Sequence, residues 1–117
     1  MTAVNQDFSL YSGASLNIDV TVKDALGVVI NFSLTPYTAR WVLYTAGEVL
    51  ITKTSDPGGG ITFPAPTEGV MRITLAVVDT VDLVSGIYGH EARLTDLSSN
   101  SVPVMVGLVT VEESKSD

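Results

Sequence analysis

The stretch "GIYGHEARLTD", Gly86 to Asp96, decides how the rest of the chain is read. Tyr88, His90, Ala92 and Leu94 fall on one side of an alternation; Gly89, Glu91, Arg93 and Thr95 fall on the other. A period of two is what a half-buried β-strand requires, because successive side chains leave a pleated strand on opposite faces. The same period recurs upstream in "SLNIDVTVKD" (15–24), where Leu16, Ile18, Val20 and Val22 alternate with Asn17, Asp19, Thr21 and Lys23. Between them lie "TARWVLYT" (38–45), "EVLITK" (48–53) and "GVMRITLAV" (69–77), each with an apolar row; "VVINF" (28–32) and "ITF" (61–63) read as shorter strands.

Turn chemistry separates these runs. Asp24 and Gly27 bracket one turn, Ala46-Gly47 makes a tight hairpin, and "SDPGGG" (55–60) reads as a long hairpin turn, with a flexible contact loop as its alternative. Pro36, Pro64 and Pro66 cannot donate to a ladder and mark strand ends. "DTVDLVSG" (79–86) is the one helical turn expected, with Asp79 as N-cap and Gly86 as its terminator. The last strand, "VPVMVGLVTV" (102–111), changes phase: Val102, Val104 and Val106 form one row, Val109 and Val111 another. A bulge at Gly107 would return Val109 and Val111 to the core; alternatively both faces are buried, one by a partner chain.

The pattern is that of an immunoglobulin-like antiparallel β-sandwich of about seven to eight strands in one domain, residues 1–117, with a small barrel as runner-up. Residues 1–8 read as an N-terminal arm and 112–117 as a polar tail. Trp41 suits the gap between two sheets. Gly86 followed by Tyr88 at the entry to a late strand predicts a tyrosine corner, the hydroxyl bonding back to upstream backbone.

Composition narrows the function classes. A net charge of −7, from 13 acidic and 6 basic residues, opposes nucleic-acid binding. No run is long and apolar enough for a membrane span, and the first residues carry neither a basic start nor an apolar signal region, which predicts synthesis in a cytoplasm. Without cysteine there is no disulfide framework and no thiol nucleophile. His90 is the only imidazole; its place in the apolar row predicts a core-edge histidine with a hydrogen-bond partner. No nucleophile elbow or Asp-rich calcium loop exists, so no catalytic residue, cofactor or metal is expected. Only 16% of residues are charged against 45% hydrophobic, and so lean a surface implies that part of it is covered by assembly. Val28, Val29, Ile30, Val49, Ile51, Val109 and Val111 are the expected interface residues.

The order of motifs is itself informative. "SGASLNIDVTVKDALGVVINFS", then "ITLAVVDTVDLVSGIYGHEARLTD", then "VMVGLVTVEES" resembles the N-terminal domain of phage baseplate upper proteins and related small virion proteins, over about Gly13 to Glu113. The resemblance implies a structural protein of the virion, made in the bacterial host, that docks on capsid, connector, tail or baseplate proteins or on its own copies. Lacking a receptor-binding extension after Asp117, the chain is expected to be a small accessory subunit, such as a capsid decoration protein or a tail adaptor. The rival expectation is a cell-surface adhesive or carbohydrate-binding module.

Overall fold

The alternation of Leu16–Thr21 (β3) buries Ile18 and Val20 and leaves Asn17, Asp19 and Thr21 exposed. A computed structural model, which describes residues 3–34 and 36–113, pairs this strand antiparallel with Val70–Leu75 (β7). The polar side of that pair carries Arg72 across from Asp19, at 2.8 Å. Ile61–Ala65 (β6) flanks β7 and completes a three-stranded sheet, β3-β7-β6. Pro64 lies on this edge strand where the register shifts, a position that needs no N–H in the ladder.

The second sheet is larger. Thr38–Thr45 (β4) lies between Glu48–Thr54 (β5) and Gly86–Thr95 (β8), and β8 pairs in turn with Ser101–Glu112 (β9), all antiparallel. Val4–Asn5 (β1) and Phe8–Tyr11 (β2) then run along the far side of β9, and these two strands are parallel to it. The N-terminal arm thus adds two parallel strands to an otherwise antiparallel sheet and raises the strand number above that expected. The two sheets face each other over a core that includes Trp41, Leu43, Met71, Ile73, Leu75, Leu94 and Met105, each fully buried. The chain is a β-sandwich, with Trp41 between the layers as its size demands.

Several local expectations are corrected. "VVINF" is not a strand: Val29 makes an isolated bridge to Lys23, and the N–H groups of Ile30 and Phe32 donate to the Val22 and Pro66 carbonyls at 2.9 and 2.8 Å. Asp24 shapes the preceding turn, its carboxylate accepting from the N–H groups of Leu26 and Val28 at 2.9 and 3.0 Å. Phe32 packs on Phe63 with ring centroids 4.5 Å apart. "SDPGGG" is not a hairpin either, because β5 and β6 belong to different sheets. It is a corner, in which the Gly59 carbonyl accepts from Thr54 N–H and the Gly60 carbonyl from Thr74 N–H, both at 2.9 Å. A side chain at Gly59 would strike Thr54, which is why that corner tolerates only glycine there.

The helical turn starts earlier than expected. Helix α1 spans Val77–Thr80 with Ala76 at its N-cap, and Gly86 opens β8 instead of ending the helix. Asp79 therefore caps from inside the first turn, its carboxylate accepting from Ala76 N–H at 2.7 Å. The bulge in β9 is also displaced. Register slips between the pairs Ala92–Met105 and Arg93–Pro103, which leaves Val104 as the extra residue. Pro103 has no N–H to donate, so the ladder yields there and not at Gly107. Val104 and Met105 are consecutively buried, and beyond them Val109 and Val111 face the core.

Candidate functional site

Two features stand out: a buried polar cluster beneath the N-terminal arm and an exposed apolar face on the larger sheet.

The cluster centres on His90, which is fully buried. Trp41 is its diagonal neighbour on β4, two residues from the directly paired Leu43, and Trp41 Nε1–H donates to His90 Nδ1 at 3.1 Å. An indole nitrogen can only donate, so Nδ1 is an acceptor and the neutral ring carries its proton on Nε2. That proton goes to the Gln6 carbonyl, 2.5 Å away. The hydrogen bond has a consequence in the neighbouring ladder. Gln6 N–H donates to the Val106 carbonyl at 2.8 Å, and in a parallel ladder the Gln6 carbonyl would accept from Leu108 N–H. It is turned inward to His90 instead, and the Asp7 carboxylate takes its place, accepting from Leu108 N–H at 2.8 Å.

Gly107 makes room for this exchange. A Cβ there would collide with the Gln6 carbonyl and with the Asp7 carboxylate. Phe8 then stands edge-on to the imidazole, centroids 5.0 Å apart, and Leu10 enters the core. Burial lowers the His90 pKa below its ordinary value; the Gln6 carbonyl and the Asp7 charge pull the other way and do not win. With both nitrogens engaged and no exposed surface, this imidazole latches the first strands to β9, and offers neither a free base nor a ligand position. Among the described residues no group of three or more His, Cys, Asp or Glu side chains is placed to hold a metal ion.

The remaining polar contacts hold the frame. Tyr88 Oη donates to the Val84 carbonyl at 2.6 Å, the geometry of a tyrosine corner. Lys53 reaches across to Asp79 at 2.8 Å. Burial would raise the Asp79 pKa, yet the hydrogen bonds from Lys53 and Ala76 N–H bring it below the usual carboxylate value. Thr80 ties α1 to the opposite end of the chain by donating to the Ala14 carbonyl at 2.7 Å.

The expected interface residues divide. Ile51, Val109 and Val111 are core residues and present no surface to a partner, because the β5 alternation and the Val104 bulge turn them inward. Val28 and Val29 are exposed and Ile30 half-buried, all on the segment bonded alongside Val22 and Lys23. Val49 is exposed on the edge strand β5, directly opposite Tyr44.

Of those residues only Val49 belongs to the larger apolar surface. On the outer face of the five-strand path, Val42, Tyr44, Val49, Ile87, Val106 and Leu108 occupy neighbouring rows: Val49–Tyr44–Gly89–Leu108 in one, Val42–Glu91–Val106 in the next. Leu108 is 55% and Ile87 67% exposed although both sit on long, well-paired strands. The phenol end of Tyr44 lies over Gly89, so the centre of the face has no projecting side chain. Val42, Tyr44 and Ile87 fall in the row opposite the core residues of their strands, Val106 was read in the row of Val102 and Val104, and Val49 was expected at an interface.

No family model matches the chain, and no curated protein matches it in sequence. Solved structures similar to it include the fibronectin(III)-like modules of Clostridium thermocellum CbhA, at 15% identity and TM-score 0.49, over 97% of this chain and 95% of that one. Another is CopC from Methylosinus trichosporium OB3b, at 12% identity and TM-score 0.44, over 99% of this chain and 90% of that one. The sandwich architecture stands on the strand pairing described above, and these distant likenesses add no functional assignment.

Proposed function

We propose that this chain is a non-enzymatic structural protein of a bacteriophage virion, a small accessory subunit that works by docking on other proteins of the particle. The observation that carries the docking reading is the exposed apolar face around Tyr44, Leu108 and Ile87. A sheet face of this kind on a chain with few charged residues fits a surface that assembly covers. The order of motifs that resembles small virion proteins supplies the virion part of the proposal. Mass spectrometry of purified particles tests it. Hundreds of copies per particle would mean decoration and about six or twelve a connector or baseplate role; absence from the particle, with no binding of added protein to it, would overturn the reading.

A second reading, a cell-surface adhesive or carbohydrate-binding module, is favoured by the Tyr44 ring lying over Gly89, since a sugar ring stacks on such a platform. Glycan-array binding that is lost on Tyr44→Ala and kept on Leu97→Ala would select it.

A further inference from the structure

We infer that the outer face of the larger sheet pairs with the same face of a second copy, the two related by a dyad that runs across the strands. This inference rests on the docking reading and names its surface and its partner.

Charge selects the partner. The chain carries −7, yet the outward row of this face holds Arg40 and Arg93 against Glu91 and Glu112, and is neutral. Two copies of an acidic protein repel each other less through a face that is free of the acidic excess. The charges are also arranged along an axis. Arg40 and Arg93 are cross-strand neighbours at one end, where Arg93 meets Glu91 at 2.8 Å; Glu112 lies at the other, beyond the Val111–Gly86 pair. Like charges placed directly opposite destabilise a sheet; Glu91 offsets Arg93, and the Arg40–Arg93 end keeps an excess of positive charge. A dyad across the strands offsets it: each strand lies over its own copy with its ends reversed, so Arg93 on β8 comes within one strand of the partner copy's β9 end at Glu112. A dyad along the strands would instead set arginine over arginine.

Size agrees. The rows from Arg93 to Gly86 run for about 24 Å, and five strands span about 19 Å between outer axes. In plan that is about 450 Å² before side-chain relief, the same order as the ~800 Å² of accessible surface per partner in a standard complex. Between the charged ends the face is apolar and flat, with Tyr44 folded onto Gly89, and two such sheets stack with side chains interdigitating. An isologous pair uses the patch twice, so each apolar residue counts in both copies.

Sedimentation velocity of the full chain from about 10 μM to about 1 mM tests the inference. The expected result is a reversible dimer that Leu108→Asp weakens by about 100-fold or more, whereas Leu97→Asp, on the exposed β8–β9 loop, leaves it unchanged. Circular dichroism reports whether each variant folds. Charge reversal keeps the test decisive even if Leu108→Asp does not: Arg93→Glu and Glu112→Arg should each weaken the dimer, and the two together should restore it. A monomer throughout the range, a dimer indifferent to Leu108→Asp, or a double reversal that fails to restore association would overturn the inference. Monomeric protein that binds particles through Leu108 would assign the face to a different virion protein, overturning the second-copy partner while leaving the docking function. A dimer that binds no particle would do the reverse.

Discussion

Lowering the pH from about 8 to about 5 is expected to destabilise the fold through His90, by at most about 2 kcal/mol. In the native state the imidazole is buried and neutral, because Nδ1 must accept from Trp41 and burial depresses its pKa below the ordinary 6.5. In the unfolded chain the ring is free to protonate with that ordinary value. Its contribution to stability is therefore complete above about pH 6.5 and declines as the pH falls, because the unfolded state then takes up a proton that the native state refuses. The slope is at most ~1.4 kcal/mol per pH unit, which sets a ceiling of ~2 kcal/mol at pH 5. For a domain of this size that ceiling is a fall in Tm of about 8 °C. Carboxylates do not confuse the window: Asp19, held low by the Arg72 hydrogen bond, and Asp79 lose their contributions only below about pH 4. Urea unfolding at a series of pH values gives the slope. Because the chain has a single histidine, an NMR titration of its ring carbons in the folded state reads the same residue without assignment. Stability flat between pH 8 and pH 5, or a folded-state imidazole that titrates at 6.5 or above, would refute the latch geometry.

Gly107→Ala should detach the N-terminal arm, since the new methyl group meets the Gln6 carbonyl; amide exchange of residues 4–11 should accelerate well beyond that of β8, with a loss of about 2 kcal/mol. Asp7→Ala should cost about 1 kcal/mol by leaving Leu108 N–H without its acceptor, while Asp7→Asn, which keeps a side-chain carbonyl, should cost less than half of that by urea titration. Tyr88→Phe should lose about 1 kcal/mol with the Val84 bond, and a Cm equal to that of the unmodified chain would count against the tyrosine corner. Ala46 holds a left-handed φ of 48° in the β4–β5 turn; Ala46→Asn should therefore raise stability by about 0.5–1 kcal/mol, seen as a higher Tm.

Particular residues show what was legible in the sequence. The strict alternation of Leu16–Thr21 and of Tyr88–Leu94 made β3 and β8 readable, because a half-buried strand writes its two faces into successive residues. Gly86 and Tyr88 announced the corner, and Ala46-Gly47 the hairpin, since both are local devices whose partners lie within four residues. His90 could be placed at a buried position from its row, but its partners could not: Trp41 is 49 residues away and Gln6 is 84. Nothing in "NQDF" signals that a carbonyl will leave its ladder to satisfy an imidazole.

The exposed face was misjudged for a related reason. A strand with apolar residues in both rows, such as β9, does not say which row is inside. Pro103 and the extra Val104 decide that through pairing with β8. Ile51, Val109 and Val111 looked available and are core; Ile87 and Leu108 looked like ordinary strand residues and are exposed.

By itself, then, the sequence determined that this chain is a layered β protein with a tryptophan between the sheets, because periodicity and turn chemistry are local and each residue carries its own share. Only the tertiary structure decided which sheet each strand joined, where the phase of β9 slipped, and how the first strands closed over His90. Those outcomes depend on register between segments far apart in the chain, and register is fixed by the contacts themselves.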